Sequence, residues 1–217
     1  MLLSLIASIA IGPGAMLDVL FCGNSHTFTN DVPGMTRNLV TAGSGRRIEI
    51  GSYSGAFLQD IAQNPIVRKE ISSGRWYAVV LQGAGLSSSH NYVHPMDGAI
   101  ALAKAAKSAK ARALLFAEWP RRGWDETEYI LGIYRQIAKA SGAEIVPICK
   151  VWDAVLDVQP KLELWQADGN HATQTGSYIA ACRIAKSLGE SQPRVPWFPS
   201  SLDRATAQLI WSTSQRT

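Results

Sequence analysis

Short apolar runs alternate with longer amphipathic stretches along this chain. Five runs rich in strand-forming residues lie at 17–22, 46–50, 77–81, 113–117 and 144–148, and their length and apolar character predict buried strands. Helices are predicted around them, at 35–42, 57–72, 97–111, 125–141, 151–156 and 174–188. A loop is predicted at 83–95, and the proline-containing tail after Ser191 is expected to wrap the surface.

Strands that alternate with helices indicate parallel βαβ units and a doubly wound sheet. The predicted fold class is therefore α/β, a three-layer αβα sandwich around a five-stranded, mainly parallel, flavodoxin-like sheet. In such sheets ligands bind beyond the carboxyl ends of the strands. Three polar loops, 23–26, 51–55 and 82–83, follow the first three strands and are expected to meet at that edge.

The composition is that of one globular domain, assigned here to residues 16–217. The chain has 217 residues, 47% of them hydrophobic and 18% charged, so a full core can form without metals or disulfides. The net charge of +4 comes from scattered Lys and Arg residues, without the basic stripe that is typical of nucleic-acid binding. Because P-loop, Gly-x-Gly-x-x-Gly and His-Glu-x-x-His motifs are missing, we expect neither a cofactor nor a metal, and no nucleic-acid partner.

Residues 1–15 form an apolar run without a preceding basic residue. The run suits a signal peptide or leader, with candidate cleavage at Ser8-Ile9-Ala10, although the usual positive charge is missing. The run is too short to span a membrane, and stable membrane insertion is not expected. A start at Met16 is the alternative. A signal peptide would make the protein secreted or periplasmic, and without one it is expected in the cytoplasm. The sequence leaves the oligomeric state open.

Three cysteines, Cys22, Cys149 and Cys182, have neither CxxC nor metal-ligand spacing. Cys22 and Cys149 are predicted to end buried strands and Cys182 to lie on a helix. All three are therefore expected to be small apolar core residues. Their odd number argues against a disulfide framework but leaves one bridge open.

Ser25, in the loop after the first strand, is a candidate nucleophile. A serine hydroxyl needs a base that takes its proton, and the base needs a third group that orients it. Among the four histidines, His171 follows Asp168 by three residues. His26 is a poor base because neighbouring side chains diverge, and the other two histidines share one loop. Each of these residues, taken singly, also suits an ordinary turn or helix cap.

Two short blocks, in order and on the expected elements, resemble a known family. The sequence GNSHTF at 23–28 resembles the first block of the SGNH, or GDSL-like, hydrolase superfamily, and DGNH at 168–171 resembles its last block, Asp-x-x-His. The segment TGSYIAA at 175–181 is similar to the small-residue helix that follows in the family. The resemblance covers most of residues 17–190.

This resemblance implies an esterase or deacylase in which His171 takes the proton of Ser25 and Asp168 orients the imidazole. The second family block is a glycine after strand two, which implies that the backbone N–H groups of Gly55 and Ser25 form an oxyanion hole. The third block usually contains Asn. This chain has Gln-Gly there instead, as some carbohydrate-esterase branches do, which makes the amide of Gln82 the third candidate donor. One such donor is worth about 3 kcal/mol of barrier height.

Four further residues are candidates for substrate contacts. Asn24 and His26 flank the nucleophile. Trp119 and Arg121 follow the fourth strand, where an indole can stack on a sugar and a guanidinium can meet an anion; a packed loop with solvated arginines is the alternative. Segment 87–94 is either a substrate lid or a plain surface loop. The acidic residues of this region lack the paired spacing of glycosidases and are expected to be solvated; they are Glu118, Asp125 and Glu126.

The predicted function is a serine hydrolase that cleaves small-molecule or carbohydrate esters without a cofactor. The Gln-Gly block and the tryptophans favour carbohydrate O-acetyl esters, while lipid and aryl esters stay open. Three other functions also remain: an acyltransferase with the same triad, a non-catalytic carbohydrate-binding relative, and a flavodoxin-like binding protein without serine chemistry.

Overall fold

The computed structural model describes residues 16–217. The candidate signal peptide or leader, residues 1–15, lies outside the described residues. The strands are β1 (Met16–Gly23), β2 (Arg47–Ser54), β3 (Ala78–Leu81), β4 (Arg112–Ala117) and β5 (Glu144–Pro147). They form one parallel sheet in the order β2-β1-β3-β4-β5, which is the flavodoxin-like order. The predicted α/β class and five-stranded sheet are confirmed.

Helices cover both faces of this sheet. They are α1 (Ser25–Phe28), α2 (Val32–Ser44), α3 (Leu58–Ile61), α4 (Pro65–Ile71), α5 (Asp97–Ser108), α6 (Thr127–Ser141), α7 (Ile148–Val158), α8 (Gln174–Ser187) and α9 (Arg204–Arg216). Within residues 16–217, none of them is long and apolar enough to cross a lipid bilayer.

Strand β1 shows how the sheet separates two cores. Its side chains alternate between the faces: Val19 and Phe21 join the core that α2, α7, α8 and α9 cover, whereas Leu20 and Cys22 join the core that α3 to α6 cover. All these side chains are buried. A central strand that is apolar on both faces explains the continuous apolar run in the sequence.

The predicted helix at 57–72 is wrong in one respect, because the structure contains two helices there. Asn64 precedes Pro65, and the residue before a proline is disfavoured in the α conformation. Asn64 has an extended backbone and its side chain accepts a hydrogen bond from the N–H of Ile66, so it caps α4. The chain thus turns between α3 and α4.

The prediction that the tail wraps the surface is also wrong for its last part. Residues after the final proline form α9, whose N-cap is Asp203. Ala207, Ile210 and Trp211 are fully buried in the core shared with α7 and α8. Their spacing is that of one helical face, and the tail therefore completes a helical layer.

The three cysteines are buried and free, as expected for small core residues. Cys149 differs in position, since β5 ends at Pro147 and the chain enters α7 at once. Burial raises the pKa of the Cys22 and Cys149 thiols to about 12. Burial also raises the pKa of Cys182, so all three thiols are protonated at neutral pH.

Candidate active site

The nucleophile turn, residues 23–27, runs from the last residue of β1 into the short helix α1. Asn24 is the N-cap of α1, and its Oδ1 accepts a hydrogen bond from the N–H of His26 at 3.0 Å. Ser25 is the first helical residue and is exposed. Gly23 has no room for a side chain, because an added Cβ would lie 2.8 Å from Gln82 Oε1 and closer still to Thr27. Glycine is thus required by close packing against the neighbouring strand.

The histidine loop, residues 165–172, projects between α7 and α8. Asp168 Oδ1 accepts hydrogen bonds from the backbone N–H groups of Asn170 and His171, both at 2.9 Å. Gly169 lies between Asp168 and Asn170 with a φ of 69°, a left-handed conformation that favours glycine. A bridge between Trp165 and Ala172 closes the loop. This tight turn explains why the aspartate precedes the histidine by three residues.

The loop brings the imidazole of His171 to the nucleophile turn. His171 Nε2 lies 2.9 Å from Ser25 Oγ, and His171 Nδ1 lies 2.5 Å from Asp168 Oδ2. An ionised carboxylate only accepts hydrogen bonds, so Nδ1 carries the proton and Nε2 accepts the hydroxyl hydrogen of Ser25. The hydrogen bond from His171, followed by those from the two backbone N–H groups, lowers the pKa of Asp168 to about 2. The three residues that the sequence predicted as catalytic are therefore brought together.

His26, the neighbour of Ser25, packs beside this triad. Its ring stacks on Trp119 at 4.8 Å between centroids and meets the ring of His171 edge-on at 5.4 Å. Burial, then the nearby charge of His171, lowers the pKa of His26 to about 4. A neutral ring here adds no positive charge beside an imidazolium on His171.

The loop between β4 and α6 holds the histidine loop in place, a role that the sequence analysis missed. Arg122 donates from its backbone N–H to Gly169 O at 2.8 Å, and its guanidinium donates to the carbonyls of Trp165 and Gln166. Trp165 Nε1 donates in return to Pro120 O at 2.8 Å. The only sequence signal was the Trp- and Arg-rich segment after strand four, which we assigned to substrate contacts or to a packed loop.

The predicted stacking role of Trp119 is wrong. The side chain is only 3% exposed, His26 covers one part of the ring system, and Trp152 stacks on it at 4.9 Å. Its Nε1 donates to Asn170 O at 2.9 Å. The indole therefore supports the histidine loop and the pocket wall, and offers no free face to a sugar.

Arg121 lies at the pocket, but its charge is already neutralised. Its guanidinium pairs with Glu126 and donates to Ser88 O at 2.9 Å, while it stacks on the exposed ring of Trp124. His90 Nε2 lies 2.8 Å from the same carboxylate. A free site for a substrate anion is thus not present at this guanidinium.

The expectation that the acidic residues are solvated holds for Asp125 and is wrong for Glu118 and Glu126. Burial would raise the pKa of Glu126, but hydrogen bonds from Arg121 and His90 outweigh it and lower the pKa. Burial raises the pKa of Glu118 to about 7 against the hydrogen bonds that it accepts. Glu118 and Glu126 are both among the residues that line the pocket.

Two of the predicted oxyanion donors are occupied elsewhere. The N–H of Gly55 donates to Gly23 O at 3.0 Å. Gln82 is 1% exposed, and its amide is bonded to the nucleophile turn through Oε1 and to Glu118 through Nε2. Neither group lines the pocket. The prediction that Gly55 and Gln82 donate to the oxyanion is therefore wrong in this structure, and only the N–H of Ser25 remains from the predicted set.

A pocket of about 300 Å³ opens beside Ser25 and His171. Besides Ser25 and His171, its walls come from the loops after β2, β3 and β4, which meet at the predicted sheet edge. Lining residues on these loops and on the nucleophile turn include Asn24, Phe57, Ser87, Ser88, Arg121 and Glu126. Segment 87–94 contributes two serines to this wall. It is bonded to the β4–α6 side by the contacts of Ser88 O with Arg121 and of His90 with Glu126. The Tyr129 hydroxyl also accepts a hydrogen bond from the N–H of Ser87. Within residues 16–217, no cluster of side chains is suited to hold a metal ion.

Known structures share this architecture. Comparison with protein-family models and with curated proteins found no match. A candidate SGNH hydrolase from Slackia heliotrinireducens is 24% identical, with a TM-score of 0.62 over 80% of this chain and 100% of its own. A DUF4886 family protein from Bacteroides uniformis is 16% identical, with a TM-score of 0.69 over 93% and 94%. A catalytic mutant of an acetylxylan esterase from Geobacillus stearothermophilus is 14% identical, with a TM-score of 0.60 over 83% and 98%.

These likenesses define the class of fold. The chain has the fold of the SGNH hydrolases, and the resemblance predicted from the sequence is confirmed at that level.

Proposed function

We propose that this protein is a serine hydrolase that cleaves carboxylic esters through an acyl-enzyme on Ser25. One observation carries the proposal: Ser25 Oγ, both ring nitrogens of His171 and the Asp168 carboxylate form one hydrogen-bonded chain at the mouth of the pocket. This arrangement activates a serine as a nucleophile.

The mechanism follows from these contacts. His171 Nε2 takes the hydroxyl proton while Ser25 Oγ attacks the ester carbonyl carbon, and Asp168 stabilises the imidazolium. The tetrahedral intermediate collapses, the C–O bond to the alcohol breaks, and the imidazolium gives its proton to the leaving oxygen. Water then attacks the acyl-enzyme with His171 as base, which releases the acid and restores Ser25.

The oxyanion requires donors that point into the pocket. Within the described residues the N–H of Ser25 donates to no other group, as is usual in the first turn of a helix. Asn24 lines the pocket and uses one Nδ2 hydrogen for Ala56 O at 3.0 Å. We assign the Ser25 N–H and the second Nδ2 hydrogen of Asn24 as the oxyanion donors.

The pocket favours a short acyl group on a polar alcohol. Its wall beyond the triad contains two serine residues and the paired side chains of Arg121 and Glu126, with Phe57 at one side. A long lipid chain would need an extended apolar wall. O-acetyl esters of carbohydrates fit this chemistry, and an acetylxylan esterase is among the structures of similar fold. The acyltransferase alternative uses the same residues and differs only in the acceptor, so product analysis with added alcohols separates the two.

Hydrolysis of p-nitrophenyl acetate tests the proposal. Ser25→Ala removes the nucleophile and should abolish turnover without changing the fold, because the side chain is exposed. Ser72→Ala, an exposed serine at the end of α4, is the matched control and should keep native activity. Full activity in Ser25→Ala would refute the proposal. Labelling by a fluorophosphonate separates the enzyme from a non-catalytic carbohydrate-binding protein, because only an activated serine reacts.

A further inference from the structure

Buried side chains connect three strands beyond the point where their backbone pairing ends. Gln82, directly after β3, accepts hydrogen bonds at Oε1 from the backbone N–H of Asn24 at 2.9 Å and from the Thr27 hydroxyl at 3.0 Å. Its Nε2 donates to Glu118 Oε2, directly after β4, at 2.7 Å. Because a backbone N–H can only donate, the amide oxygen must face the nucleophile turn and the amide nitrogen must face the carboxyl group.

Glu118 is in turn held from the helical layer. The Tyr134 hydroxyl on α6 donates to the same Oε2 at 3.1 Å. Gln82 and Glu118 are 1% and 5% exposed, so water cannot replace these hydrogen bonds without opening the core. The absence of space for a Cβ at Gly23 shows that the turn fits closely against the Gln82 amide.

We propose that Gln82 and Glu118 are positioning residues, which fix the nucleophile turn so that Ser25 Oγ stays in line with His171 and the oxyanion donors. The inference rests on the acyl-enzyme mechanism above. Gln82 accepts hydrogen bonds from the turn on both sides of Ser25, at Asn24 and at Thr27, so it restrains the position and the direction of the serine. An error of about 1 Å at a nucleophile can cost about 100-fold in rate.

A second buried glutamate provides a matched control. Glu190 is fully buried and accepts hydrogen bonds from Ser44, Arg46 and Gln192. These contacts lie near the amino end of β2, at the sheet edge opposite to Ser25. Loss of either carboxyl group should lower stability, but only the loss of Glu118 should disturb the nucleophile.

The experiment compares Glu118→Ala, Gln82→Ala, their double variant, Glu118→Gln and Glu190→Ala. We measure kcat and KM for p-nitrophenyl acetate and the rate of fluorophosphonate labelling, each per folded molecule from near-UV circular dichroism. Glu118→Ala and Gln82→Ala should lower kcat and the labelling rate by about 10- to 100-fold with KM nearly unchanged. The double variant should be no worse than the stronger single variant, because both remove one connection. Glu118→Gln keeps an acceptor oxygen for Gln82 and should regain most of the rate.

Glu190→Ala should lower the melting temperature and leave kcat and labelling at the native values. If the native protein is labelled and both Glu118→Ala and Gln82→Ala keep native rates, the positioning role is overturned and the proposed function stands. If Glu118→Ala does not fold, the rates of Gln82→Ala decide by the same criteria. A native protein that is not labelled would overturn both this role and the proposed function. A rise in KM with unchanged kcat in Glu118→Ala would also overturn the positioning role, because Glu118 would then act on substrate binding.

Discussion

The nucleophile turn and the histidine loop supply the two halves of the triad, and they are built in different ways. The nucleophile turn is fixed by buried side chains, through Gln82, Thr27 and the lack of space at Gly23. The histidine loop lies at the surface, with the Asp168 side chain 47% exposed, and it is shaped by its own turn and by bonds from the β4–α6 loop. Damage to the turn should therefore reduce stability and catalysis together, whereas damage to the loop should reduce catalysis alone.

The largest effect is expected from the base in the histidine loop. His171→Ala removes the proton acceptor of Ser25 and should lower kcat by between about 10⁴- and 10⁶-fold. His171 is partly exposed, so the melting temperature should stay close to the native value. Steady-state kinetics and thermal unfolding check this pair of results. Retention of a tenth of the native kcat would contradict the assignment of the base.

Asp168→Asn should lower kcat by about 10³- to 10⁴-fold. The amide keeps the shape of the side chain but no longer stabilises the imidazolium, and it favours the wrong tautomer of His171. Asp203→Asn is the matched control, because Asp203 is also an exposed aspartate that caps backbone N–H groups. Its variant should keep native kcat. Equal losses in both variants would point to a general structural effect.

The buried side chains that support the nucleophile turn predict a pH dependence of stability. The pKa of Glu118 is raised by burial to about 7, so the folded state binds this proton more tightly than the unfolded state. This proton contributes about 3 kcal/mol to the free energy of unfolding. The contribution is fully present below pH 4.5 and is lost as the pH rises through about 7. The lowered pKa of His26 acts with the opposite sign over part of this range.

Urea unfolding at a series of pH values isolates the Glu118 contribution as the difference between the native protein and Glu118→Gln. That difference should fall between pH 4.5 and 7 and level off above. A flat difference would show that Glu118 ionises as readily in the folded state as in the unfolded chain, and would remove the case for its burial beneath the site.

The smallest effect is expected from the support of the histidine loop. Arg122→Ala removes two hydrogen bonds to the carbonyls of Trp165 and Gln166 and should lower kcat about tenfold. KM should not change, because Arg122 does not line the pocket. Arg135→Ala, an exposed arginine paired with Glu128 on α6, is the control. A native kcat in Arg122→Ala would mean that the histidine loop keeps its shape without these two hydrogen bonds.

The sequence was informative where one residue type has one use. Apolar runs predicted all five strands, and the pair Asp168 and His171 could be joined to Ser25 through the family blocks. It was uninformative where the same side chain serves several uses. Gln82 can donate to the oxyanion or to the protein, and Trp119 can stack on a sugar or pack within the protein. Only the three-dimensional neighbours, among them Glu118 and Asn170, decide between these uses. Helix α9 was missed because only three of its buried residues are apolar, and they lie within a polar segment.

The most direct test of the central claim is mass spectrometry of the protein after reaction with a fluorophosphonate. We predict one covalent adduct, located on the peptide that contains Ser25, formed by the native protein and lost in His171→Ala. An adduct on another residue, or labelling of Ser25 that persists at the native rate in His171→Ala, would contradict the claim that these two residues form the catalytic pair.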